Sequence, residues 1–334
     1  MTAHQPKPLI DSFGRQISYL RISVTDRCDF RCTYCMAEEM TFLPRKQVLS
    51  LEEIERVARI FVGLGVRKIR VTGGEPLVRH SVEHLIANLG QLNGLEELAL
   101  TTNGSQLTRL ADSLRAGGVT SMNISLDTLE PDAFRRITRI GELSKVIAGI
   151  DAAVAAGFPR LRINAVVLRG HNEDQILPLT EFALERGIDI AFIEEMPLGQ
   201  VNAAGKNLEL VTSDEVLETV ARAHTLETAD TQQHSGPARY HRVSGTATRV
   251  GLISPHSNNF CSSCNRLRIT AEGRLLLCLG NEDSISLRDL MRAGLSDEVV
   301  TEAIRDALTY KPERHVFDRP DEPQILRFMN ASGG

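Results

Sequence analysis

Tyr19-Leu-Arg-Ile-Ser-Val-Thr-Asp-Arg-Cys28-Asp-Phe-Arg-Cys32-Thr-Tyr-Cys35 joins an alternating strand to three closely spaced cysteines, and both halves carry information. Successive residues of a strand face opposite ways, so Arg21, Ser23 and Thr25 share one face while Ile22 and Val24 share the other. The cysteines follow as C-x3-C-x2-C. Three thiolates in one loop can hold three corners of a cubane iron–sulfur cluster and leave one iron without a protein ligand. An open coordination position is where a ligand binds and reacts, whereas a closed four-ligand site is structural. Zinc fits this loop less well, because its sites pair cysteines as C-x2-C and close with another Cys or His, and no His lies here.

The remaining cysteines, Cys261, Cys264 and Cys278, repeat the theme as C-x2-C-x13-C. A disulfide framework belongs to short secreted domains, and groups of three cannot pair fully within themselves. Two readings stay open for this group: a second cluster, or a Cys3His zinc site completed by His256.

Strand-like and helix-like segments alternate through the first 200 residues. Strands are expected at 19–24, 68–72, 97–102, 121–127, 160–168 and 189–195, with helices at 51–64, 106–116, 142–156 and 173–186. Ser50 and Glu53 form a capping box, and glycines at 63, 65, 117, 157 and 187 stand where helices should stop. Strand–helix alternation implies right-handed βαβ units and a parallel sheet. After about residue 199 the pattern becomes irregular, which places a domain boundary between 1–199 and 200–334.

Each expected strand carries one polar face. Lys68, Arg70 and Thr72 share a face, as do Thr101 and Asn103, then Asn123, Ser125 and Asp127, then Arg162 and Asn164; Ile69, Val71, Ile124, Leu126, Ile163 and Ala165 lie opposite. A tightly filled parallel barrel is apolar on both faces. The pattern here instead puts helices over the apolar faces and a wide, wet lumen inside the polar ones. Arg21, Lys68, Arg70 and Arg162 fall on the lumen face, and Arg266 and Arg268 repeat the i, i+2 spacing after Cys264. A single such residue reads as a solvated charge. Six together suit a polyanion, with a nucleoside triphosphate the leading candidate. Neither a Walker loop nor G-x-G-x-x-G is present, so side chains would have to hold the phosphates.

The chain has 334 residues, 42% hydrophobic and 24% charged, which is ordinary for about two globular domains. A net charge of −5 argues against a surface built for nucleic acid or membrane binding. The first residues have no apolar signal region, and no stretch approaches a transmembrane span. The expectation is a reducing compartment, most simply the cytoplasm.

The C-x3-C-x2-C motif with Tyr34 before the third Cys resembles the signature of the radical S-adenosylmethionine (SAM) superfamily. Thr72-Gly-Gly-Glu-Pro76 resembles that superfamily's glycine-rich element. Cys261-x2-Cys264-Asn-Arg-Leu-Arg268, Cys278, Lys311-Pro312 and the terminal Gly333-Gly334 narrow the resemblance to the GTP 3′,8-cyclase family, the molybdenum cofactor biosynthesis protein A family. It extends from Arg21 to the last residue.

The resemblance implies an α/β fold: an incomplete six-unit (β/α) barrel closed by a smaller C-terminal α+β domain. It implies one [4Fe–4S] cluster on Cys28, Cys32 and Cys35, which binds and cleaves SAM, and a second on Cys261, Cys264 and Cys278, whose open iron takes the guanine of GTP. Tyr34, Gly74, Ser125 and Met196 match SAM contacts. Arg21, Arg70, Thr101, Arg162, Arg266, Leu267 and Arg268 match GTP contacts. The implied chemistry is abstraction of the ribose 3′ hydrogen by a 5′-deoxyadenosyl radical, followed by attack on guanine C8 and reduction of the product radical. Also implied are an external reductase, a downstream cyclic pyranopterin monophosphate synthase, a homodimer, and a Gly-Gly tail that enters the active site. No nucleic acid or membrane partner is expected.

Three positions depart from the family pattern. Arg162 stands where Lys is frequent, Ala191 where Arg commonly precedes Phe-Ile-Glu, and Ser332 where Ile is common. Two rivals share part of the signal. A peptide-modifying radical SAM enzyme would have the first triplet and the glycine-rich element, but a longer C-terminal cysteine series. A non-catalytic iron or zinc sensor would need a nucleic-acid surface that the acidic balance does not favour.

Overall fold

The computed structural model describes residues 8–198, 209–229, 236–317 and 327–333. The boundary expected at 199/200 and the terminal Gly334 lie outside them. Twelve strands form one sheet: β1 (Tyr19–Ser23), β2 (Lys68–Thr72), β3 (Glu97–Thr102), β4 (Val119–Ser125), β5 (Arg160–Val167), β6 (Asp189–Glu194), β7 (Leu226–Thr228), β8 (Arg239–Val243), β9 (Arg249–Ile253), β10 (Arg266–Ile269), β11 (Arg274–Leu276) and β12 (Ser284–Ser286). The helices are α1 (Leu51–Gly63), α2 (Val82–Gly90), α3 (Leu107–Ala116), α4 (Pro131–Thr138), α5 (Leu143–Ala155), α6 (Ile176–Glu185), α7 (Ser213–Ala221), α8 (Leu287–Arg292), α9 (Asp297–Leu308) and α10 (Met329–Ser332).

β1 to β6 are parallel neighbours in chain order, with helices in every connection, as the alternation requires. The C-terminal region extends this sheet at both edges. β9 pairs parallel with β6, and β10 pairs parallel with β1. Antiparallel β8 and β7 continue one side, and β11 and β12 the other.

Local chemistry explains the best-read elements. Ser50 Oγ accepts from Glu53 N while the Glu53 carboxylate accepts from Ser50 N, so the expected capping box starts α1. Two expected stops shift: Gly63 lies within α1, and the chain turns at Gly65, with φ of +94°, where a Cβ would be strained. Likewise Gly117 caps α3 at φ −72°, and the left-handed residue is Gly118. α2 had no capping signal, since it starts after Ser81 in the left-handed region with no side-chain cap. α4 did have one, Pro131 in its first turn.

The apolar strand faces point as expected. Ile22, Ile69, Val71, Ile124, Ile163 and Ala165 pack with Phe61, Leu85, Leu114, Val146 and Leu179 of the helices in one buried core. The opposite faces of β1–β6, β9 and β10 line a single cavity, so the sheet curves around it. No helix among the described residues is long and apolar enough to cross a membrane.

Candidate functional site

Strand register builds the centre of the site. Arg268, Arg21 and Arg70 are partners across β10, β1 and β2, so one row of arginines rises from adjacent strands about 4.8 Å apart. One residue-pair toward the strand starts, Arg266, Tyr19 and Lys68 form a second row. All six cations expected in the lumen (Arg21, Lys68, Arg70, Arg162, Arg266 and Arg268) line the cavity. Its empty space, counted out to the open mouth, is about 1560 Å³.

The cations are held in mutual tension. Burial, together with Arg70, Arg266 and Arg162, pulls Arg21 down to about 10, and its buried Nε has no hydrogen-bond partner among the described residues. Burial, then Arg21 and Arg266, also lowers Arg268 strongly. Arg70 donates from Nε to Tyr19 Oη at 2.7 Å and from Nη1 to Leu100 O at 2.8 Å and Thr101 Oγ1 at 3.3 Å. Burial opposes ionisation of Tyr19, but Arg70, Arg21 and Lys68 outweigh it and bring the phenol down to about 7. Lys68 pairs with buried Glu97 at 3.0 Å. A polyanion entering here would satisfy charges that the protein alone leaves under-compensated.

The two cysteine groups bracket this cavity along the strands. Cys28, Cys32 and Cys35 follow the C-terminal end of β1, whereas Cys264 precedes the N-terminal end of its parallel neighbour β10. Cys278 follows β11, antiparallel to β10, and so returns to the same end as Cys264. Burial opposes ionisation of all three thiols of the first group; Cys35 adds to it at Cys28 and Cys32, while burial and then Asp127 push Cys35 itself up to about 12. Among the described residues no three Cys, His, Asp or Glu side chains converge closely enough to share one ion. Three thiols on one loop, with no His among them, suit a cubane cluster better than zinc by their donor chemistry. His256, the fourth ligand of the zinc reading, instead faces Glu195 O through Nε2 at 2.9 Å.

The glycine-rich element supports the first group by backbone contact. Gly74 N donates to Thr25 O at 2.7 Å and Glu75 N to Arg27 O at 2.8 Å. A Cβ at Gly74 would lie 2.4 Å from Arg27 O, so glycine is required by the cysteine loop's own main chain. Glu75, buried and pushed up to about 8 by burial, accepts from Asn103 N at 2.6 Å, Leu77 N at 2.9 Å and Thr102 Oγ1 at 2.8 Å. It ties the end of β2 to the end of β3.

The second group is braced differently. Lys311 Nζ donates to Leu277 O and Arg266 O, clamping β10 to the turn that bears Cys278. Arg15, paired with Asp11 at 2.6 Å, donates to Cys261 O at 2.8 Å and to Pro312 O and Glu313 O. At Cys264 burial works against ionisation, but Arg266 and Lys311 prevail and set the thiol at about 7.

Other expected site residues divide. Met196 lines the cavity. Thr101 and Ser125 sit half-buried at the ends of β3 and β4. Tyr34 is turned to Asp127, donating at 2.7 Å; burial raises that carboxyl to about 6 despite the bond. Leu267 points the other way from Arg266 and Arg268, into the core, so its side chain does not reach the cavity. The tail is packed: Met329 N donates to Cys35 O at 3.3 Å and Asn330 Nδ2 to Asp26 O at 2.9 Å. Tyr19 shares the face of Arg21 by the same alternation. Arg15 and Tyr240 had no local signal, and the roles of Glu75 and Asp127, though they lie in the glycine-rich element and on a polar strand face, depend on partners far away in sequence.

Residues 22–183 match the Radical SAM superfamily and residues 188–317 match Molybdenum Cofactor Synthesis C. GTP 3′,8-cyclase 1 of Pseudomonas aeruginosa is 60% identical over 327 residues, spanning 97% of this chain and 99% of that protein. GTP 3′,8-cyclase of Marinobacter nauticus is 56% identical over 327 residues, covering 98% of each chain. Among solved structures, Streptococcus suis SuiB bound to precursor peptide SuiA superposes with a TM-score of 0.63 at 17% identity, covering 93% of this chain and 75% of that one.

Proposed function

The chain belongs to the GTP 3′,8-cyclase family of radical SAM enzymes, and from that premise we infer how its residues divide the work. It is a lyase that converts GTP to 3′,8-cyclo-7,8-dihydro-GTP, the first step of molybdenum cofactor biosynthesis, using SAM and [4Fe–4S] clusters. When bound, these groups supply the 5′-deoxyadenosyl radical that takes the ribose 3′ hydrogen so that C3′ can bond guanine C8.

The observation that carries the assignment of roles is the cross-strand row Arg268–Arg21–Arg70, set between cysteine groups at opposite strand ends. Cys28, Cys32 and Cys35 would hold the SAM-cleaving cluster, with Tyr34, Gly74, Ser125 and Met196 around the cosubstrate. Cys261, Cys264 and Cys278 would hold the cluster that receives guanine. Arg21, Arg70, Thr101, Arg162, Arg266 and Arg268 would bind the nucleotide, and the main chain at Leu267 would support it. Fixed guanidinium groups orient the triphosphate, so the ribose is presented between the two clusters in one pose.

Residues 1–199 and 200–334 form the two functional domains in this reading. Electrons come from an external reductase, the product passes to cyclic pyranopterin monophosphate synthase, and the chain works as a cytoplasmic homodimer. Mass by light scattering tests the dimer. The SuiB likeness, at 17% identity, concerns the fold and gives no support to a peptide substrate.

The deciding experiment incubates anaerobically reconstituted protein with GTP, SAM and dithionite. The expected result is 5′-deoxyadenosine together with a C8-linked cyclised GTP, from protein with about eight iron and eight sulfide per chain. Deoxyadenosine formed equally without GTP would remove GTP as the substrate.

A further inference from the structure

Tyr240 lies outside every motif, yet it forms part of the cavity wall beside Arg162. It stands on β8 opposite Gly251 of β9, which pairs in turn with Ala191 of β6; Ala191 pairs with Asn164 of β5. A Cβ at Gly251 would lie 2.9 Å from Tyr240 Cε1 and 3.2 Å from Ala191 Cβ. The ring thus lies across a glycine and toward an alanine. Two small side chains in register open the space that lets an edge-side tyrosine lean into the lumen.

Its polar contacts connect it to the nucleotide-facing cations. Arg162 Nη1 donates to Tyr240 Oη, while Arg162 Nε donates to Asn164 Oδ1 at 2.9 Å. The guanidinium is therefore fixed at two corners and presents its remaining N–H groups to the cavity. The Arg249 guanidinium sits 4.6 Å from the Tyr240 ring centroid and is anchored to Asp189 at 2.6 Å. A phenol that accepts from a guanidinium keeps its own O–H to donate. Residue 191 supplies no cation on this wall, Arg249 is paired with Asp189 and Arg160 with Glu97, so Arg162 is left to meet an anion, and a preset fork loses less freedom on binding than a mobile one.

We propose that Tyr240 is a substrate-positioning residue, which holds Arg162 toward the ribose–phosphate of the nucleotide. The proposal rests on the reading of GTP as substrate. It is tested by a double-mutant cycle of Tyr240→Phe, Arg162→Gln and the pair, measured as equilibrium GTP affinity of the cluster-loaded full chain. Tyr240→Phe is expected to weaken GTP binding about five- to tenfold. Arg162→Gln weakens it further, and the double variant matches Arg162→Gln within about twofold, because the phenol acts through the guanidinium. SAM affinity and iron content stay at the parent values, while the ratio of deoxyadenosine to cyclised GTP rises in Tyr240→Phe.

Multiplying effects in the double variant, or parent-like GTP affinity in Tyr240→Phe, would overturn the proposal. So would loss of clusters in Tyr240→Phe, which would make the residue structural. Failure of the parent protein to bind GTP would instead overturn the substrate assignment itself.

Discussion

Arg268 Nη1 donates to the carbonyl oxygen of Gly333 at 2.9 Å, joining one end of the cation row to the chain's last described residue. Gly333 has φ of +75°, and a Cβ there would lie 2.2 Å from Thr72 Cγ2. The same tail bonds the Cys35 carbonyl through Met329. It therefore spans from the first cysteine loop to the cation row, and a side chain at Gly333 would collide with Thr72. Deleting Gly333 and Gly334 should leave both clusters and folding intact and lower cyclised-product formation about a hundredfold, since small misplacements of reacting groups cost that much. Gly333→Ala should do the same. A truncated protein that cyclises GTP at the parent rate would reduce the tail to packing.

The two cysteine groups should fail differently. On the proposed roles, Cys32→Ala removes a ligand of the SAM-cleaving cluster, so deoxyadenosine formation should vanish with or without GTP. Cys264→Ala should keep about four iron per chain and keep the SAM-binding cluster, yet lose GTP binding or turnover. Iron analysis, with separate assays for deoxyadenosine and cyclised GTP, distinguishes them. A normal rate of cyclised GTP from Cys264→Ala would remove the substrate role from the second group.

These partitions were legible because their signals are local. Cysteine spacing is read within a loop, and the i, i+2 alternation of Arg21, Arg70, Arg162, Arg266 and Arg268 is read within single strands. What the sequence hides is set by pairing between distant segments. β10 has only four residues and joins β1 from the far end of the chain, yet this pairing aligns Arg268 with Arg21. The need for glycine at 74 reads locally as access for a ligand, but the contact is with Arg27 O. Arg15 and Lys311 brace the second cysteine group through main-chain carbonyls, a contact that leaves no trace in spacing.

Arg268 should separate nucleotide binding from cluster assembly, whereas Arg266 touches both. A charge-assisted hydrogen bond contributes about 1.5–3 kcal/mol, so each Arg→Ala change should weaken GTP binding roughly ten- to hundredfold. SAM binding should persist in both. Arg266 also lies 4.7 Å from the Phe260 ring centroid and holds Cys264 toward its thiolate form, so its loss should additionally slow assembly of the second cluster. Equilibrium titration settles this: GTP affinity unchanged in both variants would return the pair to ordinary solvated charges.

Tyr19 gives the site a pH dependence whose sign can be worked out. In the free protein Arg70, Arg21 and Lys68 overcome burial and set the phenol at about 7. Above that pH the phenolate occupies the cations and opposes an incoming triphosphate. A bound triphosphate would raise the phenol again, so the complex holds more protons than the free protein, and GTP affinity must fall as pH rises through about 7. Lys68, lowered by burial, and its partner Glu97 face the same space; loss of the Lys68 proton at higher pH acts in the same direction. Tyr19→Phe separates the two, because it removes the phenol and leaves Lys68. In that variant GTP affinity should be flat between about pH 6.5 and 8, where the parent loses up to about tenfold per pH unit. Isothermal titration across this range, in buffers of different ionisation heat, also counts the proton taken up. If Tyr19→Phe keeps the parent's slope and proton uptake, the phenol does not titrate with the nucleotide.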